Sequence, residues 1–145
     1  MNIKEKIIDL KEELIRLRRD FHKHPELGFK EYRTSKIVAD YLEKYGLKVT
    51  KGIAQTGVVA LLEGSAPGPT LLLRADMDAL PIQEKNDIPY KSINNGIMHA
   101  CGHDAHTAIL LVAAKILSDC KEKIKGNIKF VFQPNVEIGG AKLMI

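Results

Sequence analysis

Residues 70–78 read TLLLRADMD and residues 127–134 read NIKFVFQP. In each, a short apolar run stops at polar residues. Runs of this length, bounded by turn residues, are the pattern of buried strands, and the first is expected to be covered on both faces. Working outward, residues 57–63 (GVVALLE) and 47–53 (LKVTKGI) predict two further strands, with SAPGP at 65–69 as a loop. Helical spacing dominates elsewhere. Ile3, Ile7, Leu10, Leu14, Leu17 and Phe21 form one core-facing stripe ahead of Pro25. Ile37, Val38, Tyr41, Leu42 and Tyr45 form a second, over residues 31–45, with Gly46 placed as its stop. Residues 104–118 form a third, with Ala105, Ala108, Ile109, Val112, Ala113, Ile116 and Leu117 inward. Strands alternating with helices predict an α/β domain, a mostly parallel sheet with flanking helices.

Composition limits the alternatives. The 145 residues are 45% hydrophobic and 28% charged, enough for one domain with a core. The net charge of +4 is dispersed, without a compact basic patch interleaved with aromatics, so no nucleic-acid partner is expected. No apolar run reaches the roughly 18 residues needed to cross a membrane. Two distant cysteines, Cys101 and Cys120, make no disulfide framework, and the N-terminus lacks the apolar core of a signal peptide, so the cytoplasm is the expected compartment.

The chemistry gathers in residues 76–104 and at Glu137. The segment from 76 to 102 is long, polar and punctuated by Pro81, Pro89 and Gly96, and loops of that length inside compact domains are usually functional. In open α/β sheets ligands bind beyond the carboxyl ends of the strands. Asp76 and Asp78 follow one such end and Glu137 another, whereas Cys101, Gly102 and His103 precede a helix, so all should share one edge. A thiolate and an imidazole two residues apart can reach one metal if Gly102 allows the turn, and sulfur with nitrogen suits Zn²⁺ and similar ions. The pair alone more often marks a structural cysteine beside a surface histidine. His99, His103 and His106 crowding eight residues is what a core does not need. Asp78 can bond the outer nitrogen of a metal-ligating histidine, or simply cap the turn before Pro81; Asp76 is open to the same turn role. His106 reads as structural as readily as functional, and His22 and His24 as cations at the end of a helix. Cys120 reads as a small buried residue. Cys101 acting as a nucleophile with His103 or His106 is a competing mechanism.

The segments RRDFHKHPELGFKEYRT, LLLRADMDALPI, MHACGHDAHTAILL and FVFQP…E…GGAK, in this order, resemble the N-terminal half of the M20-type metallopeptidase family. The likeness is nearest to its amidohydrolase branch, that of N-acyl-amino-acid amidohydrolases, hippurate hydrolases and auxin-conjugate hydrolases. The resemblance implies a catalytic α/β domain with two divalent metals (Zn, Mn, Co or Ni), a lid domain, homo-oligomers, and cleavage of the amide of a small N-acyl amino acid by metal-activated water. It implies Cys101, His103 and Glu137 as metal ligands and Asp78 as the catalytic aspartate that orients a ligand. Two departures stand out. Where the family has FQPAEE, this chain has Phe132-Gln-Pro-Asn-Val-Glu137, so Val136 takes the place of the general base and Glu137 that of the ligand. A shift in spacing before Gly139 would instead make Glu137 the base and leave the ligand missing. A base is worth ~10²–10⁴-fold in rate, so an inactive remnant keeping the fold and a partial metal site is the alternative. The chain also reaches only Ile145, where AKLMI reads as the first turn of a helix without a C-cap. Residues 1–145 are thus expected to be a partial catalytic domain, truncated before the lid and C-terminal parts.

Overall fold

The computed structural model describes residues 3–145. Helices α1 (Ile3–Asp9), α2 (Lys11–Lys23) and α3 (Tyr32–Lys44) come first, then strands β1 (Lys48–Ile53), β2 (Gly57–Glu63) and β3 (Ala66–Asp76). Helix α4 (His103–Ser118) and strand β4 (Lys125–Gln133) follow, and the chain closes on a 3₁₀ turn at Gly140–Met144. The four strands lie in the order β1-β2-β4-β3.

The α/β class with flanking helices stands, but strand direction is mixed. Only β3 and β4 pair in parallel, while β1–β2 and β2–β4 are antiparallel. The connections explain this. Residues 54–56 join β1 to β2, far too short for the crossover that parallel neighbours need. Between β3 and β4 there is room for a 26-residue loop and α4, a full crossover. Alternate residues Val58, Ala60 and Leu62 of β2 and Ile128, Phe130 and Phe132 of β4 face the helices. They close the core with Leu17, Phe21, Val38, Leu42, Ala108 and Leu111.

Several sequence expectations shift in position. The first stripe reaches the core only through its later members: Leu17 and Phe21 are buried, whereas Ile3 and Ile7 are 55% and 54% exposed. The reason is that α1 runs past the end of α4, touching it through a Lys6–Asp119 ion pair at 2.5 Å. Helix α3 ends as expected. Gly46, at φ +78°, donates its N–H to the Glu43 carbonyl at 3.0 Å, and Leu47 donates to that of Leu42 at 3.2 Å, the paired bonds of a Schellman stop. In α4 the buried face centres on Thr107, Ala108, Leu111 and Ala114, and Ile109 is exposed. Strand β3 begins at Ala66, within the expected loop, with its register interrupted before Thr70. It is not covered on both faces: it is one of the sheet's two edge strands among the described residues, and Leu71 and Leu72 are 57% and 56% exposed. No helix among the described residues is long and apolar enough to cross a membrane.

Candidate metal centre

Strands β3 and β4 end level, with Asp76 opposite Gln133 in the parallel register. Met77 adds one more bond, donating to the Gln133 carbonyl at 3.0 Å, and its fully buried side chain pins the segment between Asp76 and Asp78. On the other side of the site, Gly102 takes φ +99°, a conformation glycine adopts without strain. Its carbonyl accepts the first turn of α4 from Ala105 and His106. Cys101 thereby stays outside the helix, and His103 becomes its first residue.

His103 is the pivot. Its Nδ1–H donates to the Asp78 carbonyl at 2.8 Å and to Asp78 Oδ1 at 3.1 Å. That leaves Nε2 free to face outward, 3.6 Å from Glu137 Oε1 and 3.8 Å from Asp76 Oδ1. The other oxygen of Asp78 accepts the Glu137 backbone N–H at 3.1 Å. Burial alone would raise the Asp78 pKa, but the His103 bond and the backbone N–H groups of Glu137 and Val136 outweigh it and hold the carboxyl below its ordinary value. The same bond to Asp78 raises His103 against the opposing effect of burial, with the Asp76 charge adding to it.

The turn carrying Glu137 is built from below. Asn135 sits at φ +51°, a region asparagine tolerates. Its N–H donates to Glu31 Oε1 at 2.9 Å, and Thr56 Oγ1 donates to Glu31 Oε2 at 2.5 Å. Glu31 is fully buried, and burial raises its pKa despite these bonds. A Cβ at Gly28 would lie 2.0 Å from Asn135 Oδ1, so a glycine is needed for the turn to seat. The long loop is fastened likewise. Glu84, also fully buried, accepts from the Ser92 N–H at 2.7 Å and from His22 Nε2 at 3.0 Å. His22 Nδ1 bonds Asp104 Oδ2 at 2.7 Å, and Arg18 Nε lies 3.1 Å from the same oxygen.

Cys101, His103 and Glu137 each present a donor atom within 4.8 Å of the others, with Asp78 behind His103, so the four expected residues converge. The donor set suits a divalent cation: one sulfur, one imidazole nitrogen and one carboxylate oxygen. Its charge balance points the same way. A hydrogen bond to Glu137, some burial, and the negative charges of Glu137, Asp76 and Asp78 push the Cys101 thiol pKa up. A cation would reverse that effect. Asp76 and His106 belong to the site more closely than their local sequence indicates. His106 Nδ1–H donates to Asp76 Oδ1 at 2.6 Å, and its ring stacks on His103 with centroids 5.8 Å apart. His99 stands apart from the donor groups: buried, with neither ring nitrogen meeting a protein partner, it has its pKa lowered by burial to about 4. His24 does complement its helix end, donating to the Asp20 carbonyl at 2.8 Å, whereas His22 turns inward. Glu31 and Asn135 lie within segments that carry the family resemblance but are not singled out there, and Glu84 lies in none of them. Only a charge falling inside an otherwise closed core would have marked the two glutamates.

The sequence profile of Peptidase family M20/M25/M40 matches residues 72–145, just over half of the chain. The chain belongs to this family. Thermostable carboxypeptidase 1 of Saccharolobus solfataricus is 48% identical over 99% of the chain and 37% of its own length. An N-acyl-L-amino acid amidohydrolase of Geobacillus stearothermophilus is 46% identical over 99% of the chain and 39% of its own length. The crystal structure of the Bacillus subtilis YXEP protein, described as a dinuclear metal-binding peptidase of the M20 family, superposes with a TM-score of 0.87 at 44% identity, covering 90% of this chain and 37% of that one. This M20 chain thus spans a little over a third of the length of the relatives it matches.

Proposed function

We propose that this chain is the partial catalytic domain, residues 1–145, of an M20 amidohydrolase that cleaves the amide of an N-acyl amino acid with water. One observation carries the reading. His103 divides its nitrogens, Nδ1–H to Asp78 and Nε2 toward Glu137 with Cys101 in reach, which is how a metal-ligating histidine and its orienting carboxylate are arranged. Cys101, His103 and Glu137 would hold the cation. Zn²⁺, Mn²⁺, Co²⁺ or Ni²⁺ fits these donors, and a complete site would hold two. A divalent cation there would polarise the scissile carbonyl and make water a better nucleophile near neutral pH. The chain's own residues supply orientation. Asp78 fixes the tautomer and direction of His103, and the Glu137 N–H fixes Asp78 in turn. The carboxypeptidase and N-acyl-amino-acid amidohydrolase names of the relatives agree with a substrate whose released part is an amino acid. Homo-oligomers and a cytoplasmic location belong to the same proposal; neither cysteine is in a disulfide.

Cys101 is poorly placed to be a nucleophile. Reactive cysteines lie in electropositive surroundings that favour thiolate, and this one faces three carboxylates. A second reading rests on Val136. Its N–H supports Asp78, but its side chain offers no base, which favours an inactive piece that keeps the fold and a partial metal site. Two measurements separate these. Zn²⁺ or Co²⁺ content of the purified chain should exceed that of Cys101→Ala and His103→Ala, and equality would remove the metal reading. In a chain extended to the length of its relatives, release of free amino acid from N-acetyl and N-benzoyl amino acids should appear in Val136→Glu above the extended parent. Full turnover by the parent itself would remove the inactive reading.

A further inference from the structure

A second trio of donors adjoins the first: Asp76, His103 and His106 present ligand atoms within 4.8 Å of one another. We infer that this trio is an alternative seat for a divalent cation, one that favours ions with little preference for sulfur. It rests on the proposed metal centre only through His103.

With His103 Nδ1 committed to Asp78, Nε2 is the one nitrogen left, and a single lone pair serves a single ion. Nε2 lies almost equally far from Glu137 Oε1, at 3.6 Å, and from Asp76 Oδ1, at 3.8 Å. The two seats are therefore mutually exclusive, and the ion's chemistry decides between them. Cys101 brings sulfur to one; the other offers two imidazoles and a carboxylate, a set that suits Mn²⁺ better than thiolate does. The second seat is held in shape. His106 follows His103 by three residues along α4, so both rings leave the same helix face. Asp76 is buried, and its backbone carbonyl accepts Thr107 Oγ1 at 2.8 Å. An ion taking His106 Nδ1 would replace its hydrogen bond to Asp76, the neutral ring then carrying its proton on Nε2. Arg74, 3.6 Å from Asp76 Oδ2 and bonded to Gln133, competes with a cation for that carboxylate. This makes the seat the weaker of the two for thiophilic ions.

The test is metal titration of the 145-residue chain. Co²⁺ is followed by the near-ultraviolet thiolate-to-metal band, which reports the Cys101 seat. Mn²⁺ is followed by the loss of its free-ion electron paramagnetic resonance signal. Cys101→Ala should lose the Co²⁺ band and keep its Mn²⁺ affinity. His106→Ala and Asp76→Asn should keep the band and lose Mn²⁺ affinity at least tenfold. His106 is half-exposed on the helix surface, so its variant is expected to fold, checked by circular dichroism. Unchanged Mn²⁺ affinity in His106→Ala, or no Mn²⁺ binding by the parent, overturns the inference. A Co²⁺ band missing in the parent while Mn²⁺ still binds would count against the thiolate centre alone.

Discussion

His99 offers a quantitative test of how the segment before Cys101 is packed. Its ring is buried, both nitrogens lack protein partners, and burial lowers its pKa from the ordinary 6.5 to about 4, overriding the attraction of Asp104. The folded chain therefore resists protonating a group that the unfolded chain protonates readily. A depressed folded-state pKa contributes stability that is present above 6.5 and is lost as pH falls toward 4. Between pH 7 and pH 5 the loss from this one group is about 2 kcal/mol. His103 acts in the opposite sense. Its raised pKa contributes stability that is full below 6.5 and lost above its folded-state value, so the total profile mixes the two. The comparison that isolates His99 is urea unfolding of the parent and His99→Leu at pH 5, 6, 7 and 8, with chelator present. The gap between them should shift by about 2 kcal/mol in favour of the variant at pH 5. Parallel profiles would refute the idea that His99 is held neutral by burial, and His99→Gln should then behave like the parent too.

Three further outcomes are expected. Asp78→Asn keeps the shape of the site but weakens the hold on the His103 tautomer, so calorimetry should show divalent-cation affinity about 10–100-fold lower. Glu84→Ala removes a buried carboxylate from His22 and the Ser92 N–H, and chemical unfolding should report a loss of ~3–5 kcal/mol, with faster proteolysis between residues 77 and 102; an unchanged midpoint would mean that the network contributes nothing. Gly28→Ala drives a Cβ into Asn135, and should cost ~1–3 kcal/mol while lowering cation affinity through the displaced Glu137; affinity equal to the parent would show that the turn does not depend on that contact.

What the sequence made legible, and what it hid, divides by range. Gly46 ends α3 and Gly102 turns Cys101 away from α4, because both act on the backbone within a few residues. The convergence of Asp78, Cys101, His103 and Glu137 was legible for a different reason: strand ends in an α/β sheet share an edge, whatever the exact pairing. The pairing itself was hidden, since apolar alternation is the same in a strand whose neighbour runs parallel or antiparallel. The short link at residues 54–56 was the cue that β1 and β2 had to run oppositely. Buried carboxylates were hidden more deeply. Glu31 meets Asn135 across 104 residues and Glu84 meets His22 across 62, and neither reads differently from a surface glutamate in its own neighbourhood.

Under the proposed amidohydrolase reading, position 136 separates two demands that the resemblance to the M20 family assigns to one glutamate. The backbone demand is to direct an N–H at Asp78, and any residue in that turn satisfies it; Val136 does. The chemical demand is a carboxylate that moves a proton, and valine has none. The consequences fall on different energies. Asp78 and His103 are held by backbone and strand-end geometry, so cation affinity should be indifferent to the side chain at 136. Rate should not be, by the ~10²–10⁴-fold that general acid–base help contributes. A Val136→Glu chain that gained cation affinity without gaining rate would reverse this ordering, and would place the missing carboxylate among the ligands, with Glu137 as the base.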